Sequence, residues 1–182
     1  MQFGPITITD KTGQEITLRS AEPADADDLL RYLKTTAAET PFLVREPDEI
    51  TLSLRQETEF IRSKLADERE LLLIALDHGR HIGNCALMRI GDCRRYAHRC
   101  GIAVALYREF CGRGIGRAML ETVLAAARSV QYTQAELEVI ADNRNAIALY
   151  ESLGFVRYGI LPDNIRYADG SFSDAYWMMK KL

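Results

Sequence analysis

Alternating polar and apolar residues at the start of the chain predict a β-hairpin, with strands at 7–9 and 16–18. The turn between them, Asp10–Gly13, has the residue types typical of tight turns. Apolar residues then recur at helical spacing and predict a first helix, which Ser20 can cap and which has Pro23 near its first turn. The chain therefore begins with a hairpin that leads into a helix.

Strand and helix patterns follow one another along the rest of the chain. A loop marked by Pro41 and Pro47 leads to a second predicted helix over about 48–68. Further strands are predicted at 71–76, 82–90, about 97–106, 135–140, 155–160 and 172–181, and further helices at 114–129 and 143–153. Hairpin spacing combined with one or two βαβ steps predicts an α+β fold. We expect one mixed, mostly antiparallel sheet of about six to seven strands, flanked by about four helices.

The composition is that of one globular domain. The chain has 182 residues, of which 47% are hydrophobic and 27% charged, so intrinsic disorder is excluded. A net charge of −3 argues against a general nucleic-acid binder or a polybasic membrane binder. The apolar run at 71–76 is far shorter than the roughly 20 residues of a membrane span, and residues 1–5 show no secretory signal. We therefore expect a cytoplasmic protein.

Four cysteines lie close together in the sequence, namely Cys85, Cys93, Cys100 and Cys111. No two of them have the C-x-x-C spacing with which a zinc site usually begins. Disulfides are rare in a reducing compartment. We therefore expect no metal site, and we interpret the cysteines as small apolar packing residues.

Charge is distributed unevenly along the chain. Residues 20–70 carry 13 acidic and 7 basic side chains, a local charge of −6, whereas residues 89–117 carry seven arginines against two acidic residues, a local charge of +5. The arginines at the start of the second stretch, Arg89, Arg94 and Arg95, fit a solvated hairpin surface. The first stretch favours a cationic ligand and the second an anionic one.

A glycine-rich segment, Cys111–Arg117, lies at the junction of a predicted strand and a predicted helix. Glycines there allow backbone N–H groups to approach an oxyanion, and the helix N-terminus adds partial positive charge. A tight turn that only packs the helix on the strand is the alternative. The dinucleotide-binding pattern G-x-G-x-x-G is absent, because its third glycine would fall at Arg117 if it began at Gly112 and at Met119 if it began at Gly114. A P-loop requires a Gly-Lys pair, and the sequence contains none. Nicotinamide and nucleoside triphosphate cofactors are therefore disfavoured.

A second informative segment, Asn143–Phe155, forms a predicted helix that ends at Gly154. Asp142 or Asn143 can cap this helix. Ala146 and Tyr150 are four residues apart and share one helix face. Taken alone, a tyrosine in this position is most simply a residue of the core or its rim.

Taken in this order, the segments resemble the GCN5-related N-acetyltransferase (GNAT) superfamily over roughly residues 70–182. The pyrophosphate signature of that family, Gln/Arg-x-x-Gly-x-Gly/Ala, is matched at Gly114 and Gly116. Its later signature, Asn-x-x-Ala-x-x-Leu-Tyr-x-x-x-Gly-Phe, is matched in full by Asn143, Ala146, Leu149, Tyr150, Gly154 and Phe155. The ending, with Asp174 and Met178-Met179-Lys180, resembles the last hairpin of the family. The resemblance implies a single domain over 1–182, with an acceptor side at 20–70 and an acetyl-CoA-binding core with the C-terminal hairpin at 71–182.

The resemblance implies acetyl-CoA as co-substrate and a primary amine as acceptor, joined by direct attack. The residues it assigns to acetyl-CoA binding are Ile102, Ala103, Val104, Gly112, Arg113, Gly114, Ile115, Gly116, Arg117, Asn143, Ala146 and Tyr150. One position departs from the signature, because Cys111 stands where the family has Gln or Arg. Arg108, Arg113 or Arg117 can compensate, and backbone amides carry much of such a site.

Tyr150 is the expected general acid, since the pKa of a tyrosine, about 10, is close to that of a thiol, about 8.5. The resemblance also implies that a backbone N–H near Ile102–Val104 stabilises the developing oxyanion. Candidates for the general base are Glu138, His98 and Glu39, and deprotonation through water leaves no single base.

Two other functions stay open at this point. One is a coenzyme A-binding regulatory or interaction module without turnover, and the other, disfavoured by register, is a nicotinamide-dependent enzyme. The loops at 40–47 and 161–170 are expected to shape the acceptor pocket. The sequence identifies neither the acceptor nor the oligomeric state, and a homodimer is an option that the resemblance leaves open because the superfamily often dimerises.

Overall fold

The computed structural model describes all 182 residues and places eight strands in one sheet. The strands are β1 (Ile6–Thr9), β2 (Glu15–Ser20), β3 (Leu71–Asp77), β4 (Arg80–Arg89), β5 (Arg99–Leu106), β6 (Gln134–Ile140), β7 (Val156–Arg166) and β8 (Phe172–Lys181). Their order is β1-β2-β3-β4-β5-β6-β8-β7, and only the β5–β6 pair is parallel. The α+β fold class is confirmed. All eight individually predicted strands, including the short β1 at the edge, join this one sheet, which is one strand more than the six to seven expected for it.

Four helices cover the sheet: α1 (Ala26–Glu39), α2 (Leu54–Ala66), α3 (Ile115–Ser129) and α4 (Arg144–Ser152). The larger core joins α3 and α4 to one sheet face, while a smaller core joins α1 and α2 to the other. Alternate residues of β3 show this division, because Leu71 and Leu73 enter the first core and Leu72 and Ile74 the second. No helix combines the length and the apolarity that crossing a membrane requires.

Local signals explain where the later helices begin and end. The apolar residues of α3, such as Ile115, Met119 and Val123, recur at helical spacing and are fully buried. Helix α4 begins where the Asn143 side chain accepts a hydrogen bond from the Ala146 N–H, at 3.2 Å. The buried face of α3 packs on β3, β4 and β5, and the Asn143 cap sets the start of α4 directly after β6.

The beginnings of the first two helices differ from the sequence-based expectation. Ser20 does not cap α1; its hydroxyl accepts a hydrogen bond from the Phe3 N–H, at 2.7 Å. Helix α2 begins at Leu54 rather than near 48, because a reciprocal pair of hydrogen bonds between Ser53 and Gln56 defines its first turn. The preceding residues, Pro47–Glu49, form only a short 3₁₀ turn.

Strand β7 is longer than the sequence suggested. The residues expected to form a loop at 161–170 continue the strand to Arg166, and pairing with β8 reaches Arg166 opposite Phe172. The turn itself is closed by a hydrogen bond from the Tyr167 N–H to the Ser171 carbonyl, at 2.8 Å. The expected loop is wrong in its first part because edge pairing with β8 orders it.

Candidate active site

Strands β5 and β6 pair only at their first residues. Arg99–Gly101 lie opposite Gln134–Glu136, and no pairing follows. An ion pair closes this end, with Arg99 Nε at 2.5 Å from a Glu136 oxygen and the Glu136 side chain only 2% exposed. Beyond this ion pair the two strands no longer pair: the β5 residues Ile102–Leu106 and the β6 residues Leu137–Ile140 have no paired residues in each other's strand. The sheet therefore contains a gap between its two central strands.

The backbone of β5 directs hydrogen-bond donors into this gap. The carbonyl of His98, just before β5, accepts a hydrogen bond from the N–H of Gln134, the first residue of β6, at 3.2 Å. Backbone polar groups of alternate strand residues point to the same side. The N–H groups of Ile102 and Val104 therefore face β6, whereas that of Ala103 faces β4. Because Gly101 is the last residue of β5 that pairs with β6, opposite Glu136, the Ile102 N–H is taken up by the Glu136 carbonyl. The Val104 N–H lies beyond the paired residues and faces the gap, where it would meet an oxyanion.

The glycine-rich segment between β5 and α3 forms a cradle of free donors. None of the six N–H groups from Gly112 to Arg117 donates a hydrogen bond within the protein. Gly112 and Gly114 have φ values of +77° and +89°, a left-handed conformation that glycine adopts without a steric penalty. Gly114 caps α3, so the positive end of the helix dipole adds to these donors. This arrangement fits a phosphate or pyrophosphate group.

The arginines around the cradle already have partners. The Arg113 guanidinium lies 2.5 Å from the carboxylate of Asp10, whose side chain is fully buried. Burial would raise the pKa of this carboxyl, but hydrogen bonds from Thr12, Gln14 and Arg113 outweigh it and hold the pKa well below its usual range. The other two arginines are engaged as well: Arg108 binds Glu39, and Arg117 binds Ser152.

A lysine that the sequence analysis missed also lies at the cradle. The Lys11 N–H donates to the Arg113 carbonyl at 2.9 Å. The Lys11 Cγ lies 3.5 Å from the position that a Cβ on Gly114 would occupy. The two segments are about a hundred residues apart in the chain, and no local sequence signal marks their contact.

Cys111 lies at the edge of the cradle, and its thiol donates to the Tyr107 carbonyl at 3.6 Å. Partial burial raises the pKa of this thiol, which keeps it protonated. All four cysteines are free thiols. No group of three or more His, Cys, Asp or Glu side chains is placed to hold a metal ion.

Tyr150 lies on α4, on the sheet face that also carries Leu137 and Val139. Its ring packs edge-on against Phe155, with centroids 5.9 Å apart, and only 7% of the residue is exposed. Burial raises the pKa of Tyr150 well above its usual value, with no hydrogen bond contributing. The hydroxyl is thus held protonated and is free to donate to a ligand.

The three candidate bases lie in different places. Glu138 is an exposed residue of β6 between Leu137 and Val139, so its side chain points to the face opposite Tyr150. Its carboxylate accepts a hydrogen bond from the Asn164 side chain, at 2.8 Å. The other two lie elsewhere: His98 precedes the closed end of β5, and Glu39 at the end of α1 binds the Arg108 N–H at 2.8 Å. Of the three, Glu138 borders the gap.

Comparison with known proteins identifies the family. A model described as the acetyltransferase (GNAT) family matches residues 30–155, which include the gap and the cradle. The chain belongs to the GNAT acetyltransferase family. The matched region of this GNAT protein leaves out both its N-terminal hairpin, β1 and β2, and its C-terminal hairpin, β7 and β8.

Two mycobacterial relatives resemble this GNAT protein in sequence. It is 36% identical to the N-alpha-acetyltransferase RimI of Mycobacterium tuberculosis over 121 residues, covering 64% of this chain and 70% of the relative. It is also 36% identical over 100 residues to the uncharacterized protein ML0378 of Mycobacterium leprae. That match covers 55% of this chain and 26% of the relative, so the chain spans only about a quarter of the length of ML0378.

Solved structures share the fold. An acetyltransferase of the GNAT family from Streptococcus pneumoniae is 25% identical and superposes with a TM-score of 0.88, covering 92% of this chain and 99% of that one. YncA from Salmonella typhimurium, described as a putative acetyltransferase and solved with acetyl-CoA, is 18% identical with a TM-score of 0.81, covering 92% and 94%. The second similarity supports the architecture alone.

Proposed function

We propose that this GNAT protein transfers an acetyl group from acetyl-CoA to a primary amine by direct attack, without a covalent enzyme intermediate. The observation that carries the proposal is the position of the cradle, Gly112–Arg117, directly after the strand that borders the gap. The relative RimI is named as an N-alpha-acetyltransferase, and the solved structure of YncA contains acetyl-CoA. Both support acetyl-CoA as the co-substrate.

The chain offers a fitting partner for each part of acetyl-CoA. The six free N–H groups of the cradle suit the pyrophosphate, whose oxygens accept hydrogen bonds. The pantetheine arm contains amides, which pair with open strand edges as a peptide strand does. The edges of β5 and β6 that border the gap, Ile102–Leu106 and Leu137–Ile140, are open in this way.

The residues of the gap divide the chemistry between its two sides. Acetyl-CoA supplies an acetyl group activated as a thioester. The N–H group of Val104 stabilises negative charge on the carbonyl oxygen as the amine nitrogen forms its bond to carbon. On the opposite face, Glu138 receives, directly or through water, the proton that the ammonium loses before attack. Tyr150 gives its proton to the sulfur as the carbon–sulfur bond breaks, and the second proton that the nitrogen loses as the amide forms returns to Tyr150 through water.

The acceptor is a cation at neutral pH, and the acidic half of the chain suits it. Residues 20–70, with a local charge of −6, form α1 and α2 on the same sheet face as Glu138. We expect the loop at 40–47 and the turn at 167–170 to flank this side. Protein N-termini and small amines are the acceptor classes that this arrangement suits.

An acceptor panel tests the proposed function. The protein is incubated with acetyl-CoA and a set of peptides with free N-termini, polyamines, amino acids and aminoglycosides, and both released thiol and acetylated amine are measured. We expect at least one amine to gain one acetyl group per thiol released. Coenzyme A binding without transfer to any acceptor would indicate the regulatory module instead, and absence of binding would refute both.

The role of Glu138 is tested with Glu138→Gln, which keeps an oxygen to accept from Asn164 but removes the basic carboxylate. We expect kcat/KM for the amine to fall by about a hundredfold, while the Kd for acetyl-CoA stays unchanged, because the side chain acts on the acceptor only. Initial rates with varied amine measure this. Glu59→Gln on α2, an exposed glutamate paired only with Arg55, serves as the matched control. Equal kcat/KM for Glu138→Gln and the wild type would remove Glu138 from the mechanism.

A further inference from the structure

The phosphate site of this chain lacks the side chain that its signature predicts, since Cys111 occupies the Gln/Arg position. A protonated thiol that donates to the Tyr107 carbonyl brings no positive charge. The neighbouring arginines are already engaged: Arg113 with Asp10, Arg108 with Glu39, and Arg117 with Ser152 and Glu121. A cation without an acidic partner would add the most to the binding of a dianionic pyrophosphate in the cradle.

The N-terminal hairpin carries such a cation to the cradle. Lys11 takes part in none of the ion pairs of the structure. Its Cγ and Cε lie 3.5 and 3.6 Å from the position of a Cβ on Gly114, so its aliphatic stem runs along the glycine that caps α3. The ammonium group is bonded to Cε, one bond beyond this contact, and is therefore within reach of a ligand held at Gly114.

The contact between hairpin and cradle is built from directional hydrogen bonds around the buried Asp10 side chain. One Asp10 carboxylate oxygen accepts from the N–H groups of Thr12 and Gln14, at 2.8 and 3.0 Å, and so shapes the turn. The other accepts from Arg113. The Lys11 N–H then donates to the carbonyl of Arg113 at 2.9 Å. The backbone of Lys11 is thereby bound to Arg113, and the preceding residue, Asp10, is bound to the same arginine.

We propose that Lys11 is the cation of the pyrophosphate site and takes the place of the signature side chain that Cys111 does not provide. This inference rests on the proposed function, because it assumes that the cradle holds coenzyme A. The ammonium donates charge-assisted hydrogen bonds to the pyrophosphate oxygens, next to the backbone donors of Gly114 and the first turn of α3. A hairpin outside the region matched by the family model thus completes the site.

Calorimetric titration of wild type and Lys11→Met with three ligands tests this proposal. The ligands are coenzyme A, 3′-dephospho-coenzyme A and pantetheine, of which only the first two contain the pyrophosphate. We expect Lys11→Met to raise the Kd of both by roughly tenfold and to leave pantetheine binding unchanged. The difference between the two proteins should shrink as salt concentration rises. Lys11→Arg should restore most of the affinity, since it restores the charge.

The controls separate this proposal from the proposed function. Lys34→Met removes an exposed lysine of α1 and should leave all three affinities unchanged. Equal coenzyme A affinity for wild type and Lys11→Met would overturn the role of Lys11 while leaving the proposed function intact. A loss of affinity in Lys11→Met that extends to pantetheine would also overturn this role, because pantetheine has no pyrophosphate. A loss of affinity for coenzyme A but not for 3′-dephospho-coenzyme A would overturn it as well, because Lys11 would then contact the 3′-phosphate. Failure of the wild type to bind coenzyme A would overturn both.

Discussion

Replacing Tyr150 with Phe should lower kcat by about a hundredfold or more while changing the Kd for acetyl-CoA by less than about threefold. In the proposed mechanism the hydroxyl protonates the leaving sulfur, whereas the ring provides the packing. The edge-on contact with Phe155 does not involve the hydroxyl, so it is retained in the variant. Steady-state rates with the best acceptor of the panel, together with direct titration of acetyl-CoA, measure the two effects separately.

The pH profile gives an independent check on Tyr150. Because burial raises the pKa of its hydroxyl, the acid form persists as pH rises, and we expect no loss of kcat from its ionisation between about pH 7 and 9. Thermal unfolding of Tyr150→Phe serves as the control for folding. An unchanged kcat in a folded variant would remove Tyr150 from the reaction. If the activity falls only because the Kd for acetyl-CoA rises, Tyr150 is a binding residue and not the general acid.

Replacing Gly114 with Ala should weaken coenzyme A binding by about ten- to a hundredfold. Its φ of +89° is a conformation that costs an L-residue roughly 1–2 kcal/mol, so the backbone at the start of α3 is expected to shift. A shift there turns the N–H groups of the cradle away from the pyrophosphate, and losing even one charge-assisted hydrogen bond accounts for this change. Titration with coenzyme A measures it.

Gly79→Ala is the matched control for the cradle. Gly79 has a φ of +83° in the turn between β3 and β4, and a Cβ there would meet no atom within 4 Å, so the variant carries a similar backbone strain away from the gap. We expect both variants to lose stability to a similar extent, but only Gly114→Ala to lose affinity. Equal loss of affinity in the two proteins would show that general destabilisation, rather than cradle geometry, is responsible.

Local patterns in the sequence were sufficient for much of the fold and for the outline of the site. Helices α3 and α4 were placed within a residue or two, since their apolar spacing and the Asn143 cap act locally. The glycines at 112, 114 and 116 predicted a phosphate cradle, with a tight packing turn as the alternative, and the free N–H groups of Gly112–Arg117 fit the cradle. The family resemblance carried by the Asn143–Phe155 segment is confirmed by the family match.

Features that depend on residues far apart in the chain could not be predicted from the sequence. Ser20 satisfies the Phe3 N–H instead of a helix end, and β7 extends because β8 pairs with it. The Arg113–Asp10 pair joins residues 103 positions apart, and this pair brings Lys11 to the cradle. Propensity and spacing describe neighbours in the chain, whereas these contacts arise only when the sheet assembles. The cytoplasmic location and the homodimer stay predictions.

The central claim, that the gap and the cradle together bind acetyl-CoA, is tested most directly by titrating ¹⁵N-labelled protein with acetyl-CoA and following its backbone amide signals. We predict that the largest changes occur at Gly112–Arg117 and at Val104, whose N–H groups are free to donate to the ligand. Signals of the β3–β4 turn should move little. Saturable changes confined to other parts of the molecule, or no change with excess acetyl-CoA, would contradict the account.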